Sequence, residues 1–214
     1  MRRPIIELDG PDHPDPRLLV APGMVGEHLR YLMAGLLRNE FPENYFNSTS
    51  MRSWIGGERT RAGHAFNAEV AARMRELGWE VLTEVSLPHL LGHPTEKNFG
   101  DVDVLAWKPL TGRVLIMECK DLQLRKTPGE VAEQLADFRG GLDSRDRPDL
   151  LLKHLLRCEQ LEGAPDAVGR RLRPAVPLHF ERYLVFRNPV PMQFAWQQLT
   201  ACSSLTLLDH LHKL

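Results

Sequence analysis

No stretch of the 214-residue chain approaches the roughly 20 apolar residues that a bilayer crossing requires. The opening MRRPIIELDGPDH meets acid and proline before any signal-like apolar run develops, so a cytoplasmic protein without a membrane partner is expected. Cysteine is scarce. Cys119, Cys158 and Cys202 are an odd number without CxxC spacing, which argues against a disulfide framework and a thiolate zinc site and leaves reduced, buried thiols. Charge of one sign is missing as well: 27 basic and 28 acidic residues leave a net charge of −1, which gives no global basic field for nucleic acid. Arginine greatly outnumbers lysine and gathers in Arg59/Arg61, Arg125/Lys126 and Arg170/Arg171/Arg173, so the positive patches this sequence can form are local. There is no GxSxG elbow, no GxxxxGK phosphate loop and no dinucleotide fingerprint, which weighs against acyl transfer, NTP hydrolysis and hydride transfer. His89 and His93 in HLLGH have the i, i+4 spacing of a zinc pair. They lack the glutamate of HExxH and sit beside glycine and proline, so they read as loop histidines within reach of a substrate near Gly100-Asp101.

What is present is an ordinary globular balance, 43% hydrophobic and 26% charged, in a chain long enough for one domain and an extension. Residues 8–23 are proline-rich and aperiodic, an irregular arm that would also suit a piece following another domain. Leu29, Leu32, Met33, Leu36 and Leu37 have helical spacing and predict a packing helix from Glu27 to Arg38 that stops near Phe41-Pro42. In residues 63–78, Phe66, Val70, Met74 and Leu77 line one helical face, with Gly78 as the stop. WEVLTEVSLP at 79–88 then reads as a strand. Helices are expected over 128–139 and 149–163, with loops between them and at the arginines of 170–173. A strand follows around 181–187 and LTLLDHLHKL closes the chain as a helix, with His210 and His212 on its surface. Met192, Phe194 and Trp196 read as core or interface residues. The order implies a mixed α/β sheet covered by helices, with an N-terminal arm and packing helix over 1–57 and the main domain over 58–214.

The informative segment is GDVDVLAW, PLTG, RVLIMECK. Pairing it as a hairpin around Pro109–Gly112 sets Trp107 opposite Val114, Leu105 opposite Ile116, Asp103 opposite Glu118 and Asp101 opposite Lys120, all on one face. The other face carries Val102, Val104, Ala106, Leu115, Met117 and Cys119, so both faces should be covered. Two carboxylates with Cβ atoms about 5 Å apart at the end of a buried hairpin repel unless something positive lies between them or one is protonated. Hard oxygen donors suit Mg²⁺, or Mn²⁺, with the backbone oxygen of Cys119 between the two side chains as a further donor. Lys120 lies about 7 Å beyond Glu118 on the same face, within reach of a water or phosphate oxygen. An acid-x-Lys triplet alone arises about once by chance at this composition; its place at a strand end, after a short hairpin, is what singles it out. The plainer reading of the three residues is an ordinary ion-pair cluster.

These residues resemble the PD-(D/E)xK nuclease superfamily, the restriction-endonuclease-like phosphodiesterases, over roughly residues 60–140. GDVDV resembles that family's first element, MECK its acid-x-lysine triplet and EVAEQLADF the helix that follows. The resemblance implies a restriction-endonuclease-like three-layer core, a central mixed β-sheet flanked by helices, with an N-terminal helical extension. It implies Asp103 and Glu118 as metal ligands and Lys120 as the group that positions water. Many members carry a glutamate directly after a phenylalanine in the first helix; here Asn67 follows Phe66, and Glu69 is the nearest acid. Gln134 matches a glutamine that some members use in the later helix.

The expected activity is therefore Mg²⁺-dependent hydrolysis of a phosphodiester in nucleic acid, with DNA the expected partner and an endonuclease the expected form. The arginine clusters would hold flanking phosphates. A catalytically inactive nucleic-acid-binding or protein-interaction module on the same fold is the alternative, favoured by Asn67. A homodimer or a larger multidomain assembly stays open. Defence against foreign DNA is the setting the superfamily's breadth suggests, and mobile-element processing or repair would use the same parts.

Overall fold

The computed structural model describes residues 5–8, 17–37, 48–95, 97–122, 127–143, 145–195 and 204–214. The chain forms two compact units, Met1–Thr60 and Arg61–Leu214. In the first, β1 (Ile5–Glu7) and β2 (Leu18–Val20) pair antiparallel with Ile6 opposite Leu19, so strands flank part of the expected irregular arm. Helix α1 (Pro22–Leu37) starts at Pro22 rather than Glu27, proline being at home in a first turn where its missing N–H costs nothing. Its expected stop near Phe41-Pro42 lies outside the described residues. Leu29 and Met33, expected on a packing face, are each 56% exposed. Helix α2 (Thr49–Glu76) begins well before the expected Gly63 and carries residues of both units.

The second unit is a three-layer α/β core. Its five-stranded mixed sheet has the order β3 (Glu80–Val85), β4 (Val102–Lys108), β5 (Arg113–Lys120), β6 (His179–Phe186) and β7 (Ser204–Leu207). The first three strands run antiparallel to their neighbours, whereas β5, β6 and β7 are parallel. A parallel partner cannot be reached by a tight turn, so the chain crosses from β5 to β6 through α4 (Pro128–Ala136), α5 (Leu150–Glu162) and α6 (Pro165–Leu172). A short α3 (Leu87–Leu91) follows β3, and α7 (Met192–Ala195) follows β6.

The alternation of β4 and β5 explains the layers. Val104, Ala106, Leu115, Met117 and Cys119 pack against Phe66, Val70 and Met74 of α2. On the opposite face Leu105, Val114 and Ile116 meet Leu87 and Leu90 of α3, Cys158 and Leu161 of α5, and Val168 and Leu172 of α6. A third cluster joins Phe138, Leu151 and Leu155 to Leu184 and Phe186 of β6. Val102 departs from the expected alternation and packs with Val85 and Leu105. The cause is its neighbour strand: Glu84 has φ +51, a left-handed conformation that turns its side chain toward α2 and shifts Val85, the partner of Val102, to the α3 side.

Later segments also differ from the sequence reading. Residues 165–172, expected as loop, are helix α6, started by Pro165 and Asp166 and ended near Arg170 and Arg171, which suits the helix dipole at both ends. The closing segment, expected as one helix, is strand β7 followed by a 3-10 helix, Leu208–Lys213. An open edge of β6 offers backbone partners that no local propensity encodes. Met192 is buried but Phe194 is 84% exposed, so it is not a core residue here; Trp196 and Cys202 lie outside the described residues. Among the described residues no helix is long and apolar enough to cross a membrane.

Candidate active site

The site grows from the β4–β5 register. Trp107 pairs with Val114, Leu105 with Ile116 and Val104 with Met117, so Asp103 and Glu118 are the next residues of their strands beyond the last pair. The turn that fixes this register contains Gly112 at φ +69, where a Cβ would stand 2.1 Å from the carbonyl oxygen of Pro177. Only glycine fits there.

Asp103, Glu118 and Lys120 come together at the end of the hairpin. Lys120 Nζ lies 2.6 Å from Glu118 Oε1 and 3.6 Å from Asp103 Oδ2. The backbone N–H of Cys119 donates to Asp103 Oδ2 at 2.8 Å. A fourth charged group completes the cluster: Arg157 of α5, whose guanidinium donates to Glu118 Oε2 and to the carbonyl oxygen of Asp101. The Arg157 and Glu118 side chains are each only 7% exposed. The positive charge that two facing carboxylates demand is thus supplied in large part by the chain itself, two cations against two anions.

Each ionisation follows from this packing. Burial, then the neighbouring Glu118, push the Asp103 carboxyl above its ordinary range, against the pull of Lys120, the Cys119 N–H and Arg157. Burial also acts to raise Glu118, but Lys120 and Arg157, with His154, outweigh it and hold this carboxyl below its usual range. Burial disfavours the Lys120 ammonium; Glu118 and Asp103 overcome that and keep it protonated. His154, buried on α5 beside Cys158, is pushed down to about 4, chiefly by burial, and is neutral at pH 7. Burial raises the Cys158 thiol to about 12 and the Cys119 thiol well above its ordinary value, so neither is a thiolate nucleophile at neutral pH.

The other expected residues belong to α2, α4, α3 and the loop after α3. Glu69 is bound through Oε2 to Arg187, 2.7 Å away, and Arg187 also holds Asp121 at 2.9 Å and covers the Phe66 ring. Asn67, 6% exposed, points its Nδ2 at Glu84 Oε1, which also meets His64. Gln134 is buried on α4. His89, on α3, contacts Arg171 of α6, while His93 bonds to the adjacent Pro94 carbonyl. Sequence reasoning missed Arg157 and His154. Their signal was a cation and an imidazole on the apolar face of DLLLKHLLRCEQLEG, among Leu151, Leu155, Cys158 and Leu161.

The donor set can be tested against a divalent ion. Among the described residues no group of three or more His, Cys, Asp or Glu is arranged to hold a metal. Mg²⁺ does not require one: it is commonly held by one or two carboxylates, with water and substrate phosphate completing its shell. Two hard carboxylates fit that pattern. A desolvated Asp103 whose carboxyl is pushed up is a group that a further cation would relieve.

Fold and site together define a three-layer α/β protein with a carboxylate–lysine centre at the end of a buried hairpin. Residues 1–209 match the family described as anti-phage protein Upx-like. The chain belongs to the Upx-like anti-phage family, which points to a role in phage defence. No curated protein and no solved structure matches it.

Proposed function

We propose that the chain is a metal-dependent phosphodiester hydrolase of the PD-(D/E)xK kind, an endonuclease that acts on DNA in phage defence. The observation that carries this reading is the convergence of Lys120 on Asp103 and Glu118, 3.6 and 2.6 Å away, at the end of one hairpin. Asp103 and Glu118 would hold Mg²⁺, or Mn²⁺, with the Cys119 carbonyl as a further donor. A bound metal ion of this class polarises phosphate and lowers the pKa of water. The chain's own part is electrostatic: Lys120 presents an ammonium, kept charged by both carboxylates, to the charge that develops on a phosphate under attack. Arg157 fixes the Glu118 carboxylate and the Asp101 backbone, and so the geometry of the acid pair.

A second reading is a non-catalytic nucleic-acid-binding or protein-interaction module. It is favoured by the engagement of both Glu118 oxygens in ion pairs and by Asn67 in place of an acid. Purified protein incubated with supercoiled plasmid and Mg²⁺ separates the two. Nicking is expected, reduced at least about 100-fold in Asp103→Ala and Lys120→Ala while circular dichroism shows both variants folded. Unchanged cleavage in both variants removes this site from the reaction, and absence of cleavage by the unaltered protein leaves the module reading.

A further inference from the structure

Beside the acid–lysine centre lies a groove of about 840 Å³ that its chemistry does not use. Its floor is apolar, formed by Phe99, Leu152 and Leu156, and two lysines, Lys97 and Lys153, stand in its lining against a single acid, Asp146. Among the described residues neither lysine's ammonium group takes part in a hydrogen bond or ion pair. Phe99 is half-buried, so part of its ring is open to a ligand. Two links place the groove next to the centre. Gly100 lines it and lies against Arg157, with 3.7 Å from its Cβ position to the Arg157 guanidinium that holds Glu118. Lys153 stands one helical turn before Arg157 on α5, about 6 Å along the axis.

An apolar, aromatic floor beside free ammonium groups has a specific chemical meaning. A duplex offers phosphates outward and hides its base faces, so it would use the lysines and leave Phe99, Leu152 and Leu156 uncovered. An unpaired nucleotide uses both, its base laid on the ring and aliphatic side chains and its phosphates on the lysines. We propose that this groove binds a single-stranded segment of nucleic acid next to the acid–lysine centre. The proposal rests on the hydrolase reading for the meaning of that neighbourhood, so the substrate would be a strand that is unpaired, or opened, on one side of the scissile phosphate.

Binding is read without cleavage by fluorescence anisotropy in EDTA, using end-labelled 12-nucleotide single-stranded DNA, the same sequence as duplex, and the same sequence as RNA. Tighter binding of a single strand than of the duplex is expected; the DNA and RNA arms identify which sugar is accepted. Phe99→Ala should weaken single-strand binding by about tenfold and spare duplex binding. The exposed pair Lys97→Gln/Lys153→Gln, which leaves the core untouched, should reduce the slope of log affinity against log salt by about 1.4 for a single strand. The idea is overturned by duplex preference, by no measurable binding, or by affinity and salt slope that stay unchanged in both groove variants. Loss of binding in these variants without any cleavage by the unaltered protein would sink the hydrolase reading and keep the groove. Cleavage that needs Asp103 while the groove variants bind as the unaltered protein does would do the reverse.

Discussion

Replacing Arg157 by methionine isolates the cation that the sequence did not announce. The guanidinium and the Glu118 carboxylate are each 7% exposed, and Arg157 also serves the Asp101 carbonyl. Removing one member of a buried ion pair costs about 3–5 kcal/mol, because the survivor stays desolvated. Lys120 remains 2.6 Å from the other oxygen of Glu118, which places the expected loss at the lower end, about 3 kcal/mol. For a protein of this size that corresponds to a fall in Tm of about 6–12 °C. Urea unfolding followed by far-ultraviolet circular dichroism gives the same quantity independently of heating. Arg157→Met/Glu118→Gln should recover about 2 kcal/mol of the loss, because the neutral amide no longer needs a partner cation. A loss below about 1 kcal/mol in Arg157→Met, or a double variant as unstable as the sum of its single changes, would show that the pair does not balance the buried charge.

His154 gives the protein acid sensitivity. Its folded-state pKa of about 4 lies below the ordinary 6.5, so the unfolded chain takes up a proton first; stability is intact above pH 6.5 and falls by about 3 kcal/mol as pH drops to 4. Urea midpoints at pH 7.5, 5.5 and 4.5 should converge less steeply in His154→Leu, and an unchanged slope would assign the sensitivity to other groups. Gly112→Ala should lose more than about 2 kcal/mol, since a left-handed φ and a Cβ 2.1 Å from the Pro177 oxygen both resist it; a stable, unshifted variant would contradict the turn geometry. Mg²⁺ at about ten times its dissociation constant should stabilise the protein by about 1.4 kcal/mol and do nothing for Asp103→Asn, as differential scanning fluorimetry would report. Equal shifts in both proteins would place the ion elsewhere.

Much of this protein was legible in its residue order because local rules were strong there. The alternation of Val104, Leu105 and Ala106 against Leu115, Ile116 and Met117, joined by a short glycine turn, admits one hairpin register, and that register alone brings Asp103 to Glu118. The stripe of Phe66, Val70 and Met74 likewise identified a helix and its buried face. Helix α6 escaped notice because its apolar signal is only Val168 and Leu172 between arginines, and β7 because a strand at a sheet edge is decided by the open backbone of β6. The turning of Glu84 toward His64 and Asn67 has no local signature either, since a left-handed glutamate is stabilised only by what surrounds it.

The residue order by itself determined which acids and which lysine can share a strand end, because side-chain direction in a hairpin is a property of neighbours in the chain. Only the tertiary structure decided how their charge is balanced. Arg157 reaches Glu118 from a helix 39 residues further on, and the desolvation that raises Asp103, and that the paired charges overcome at Glu118 and Lys120, exists only once α5 has closed over the sheet.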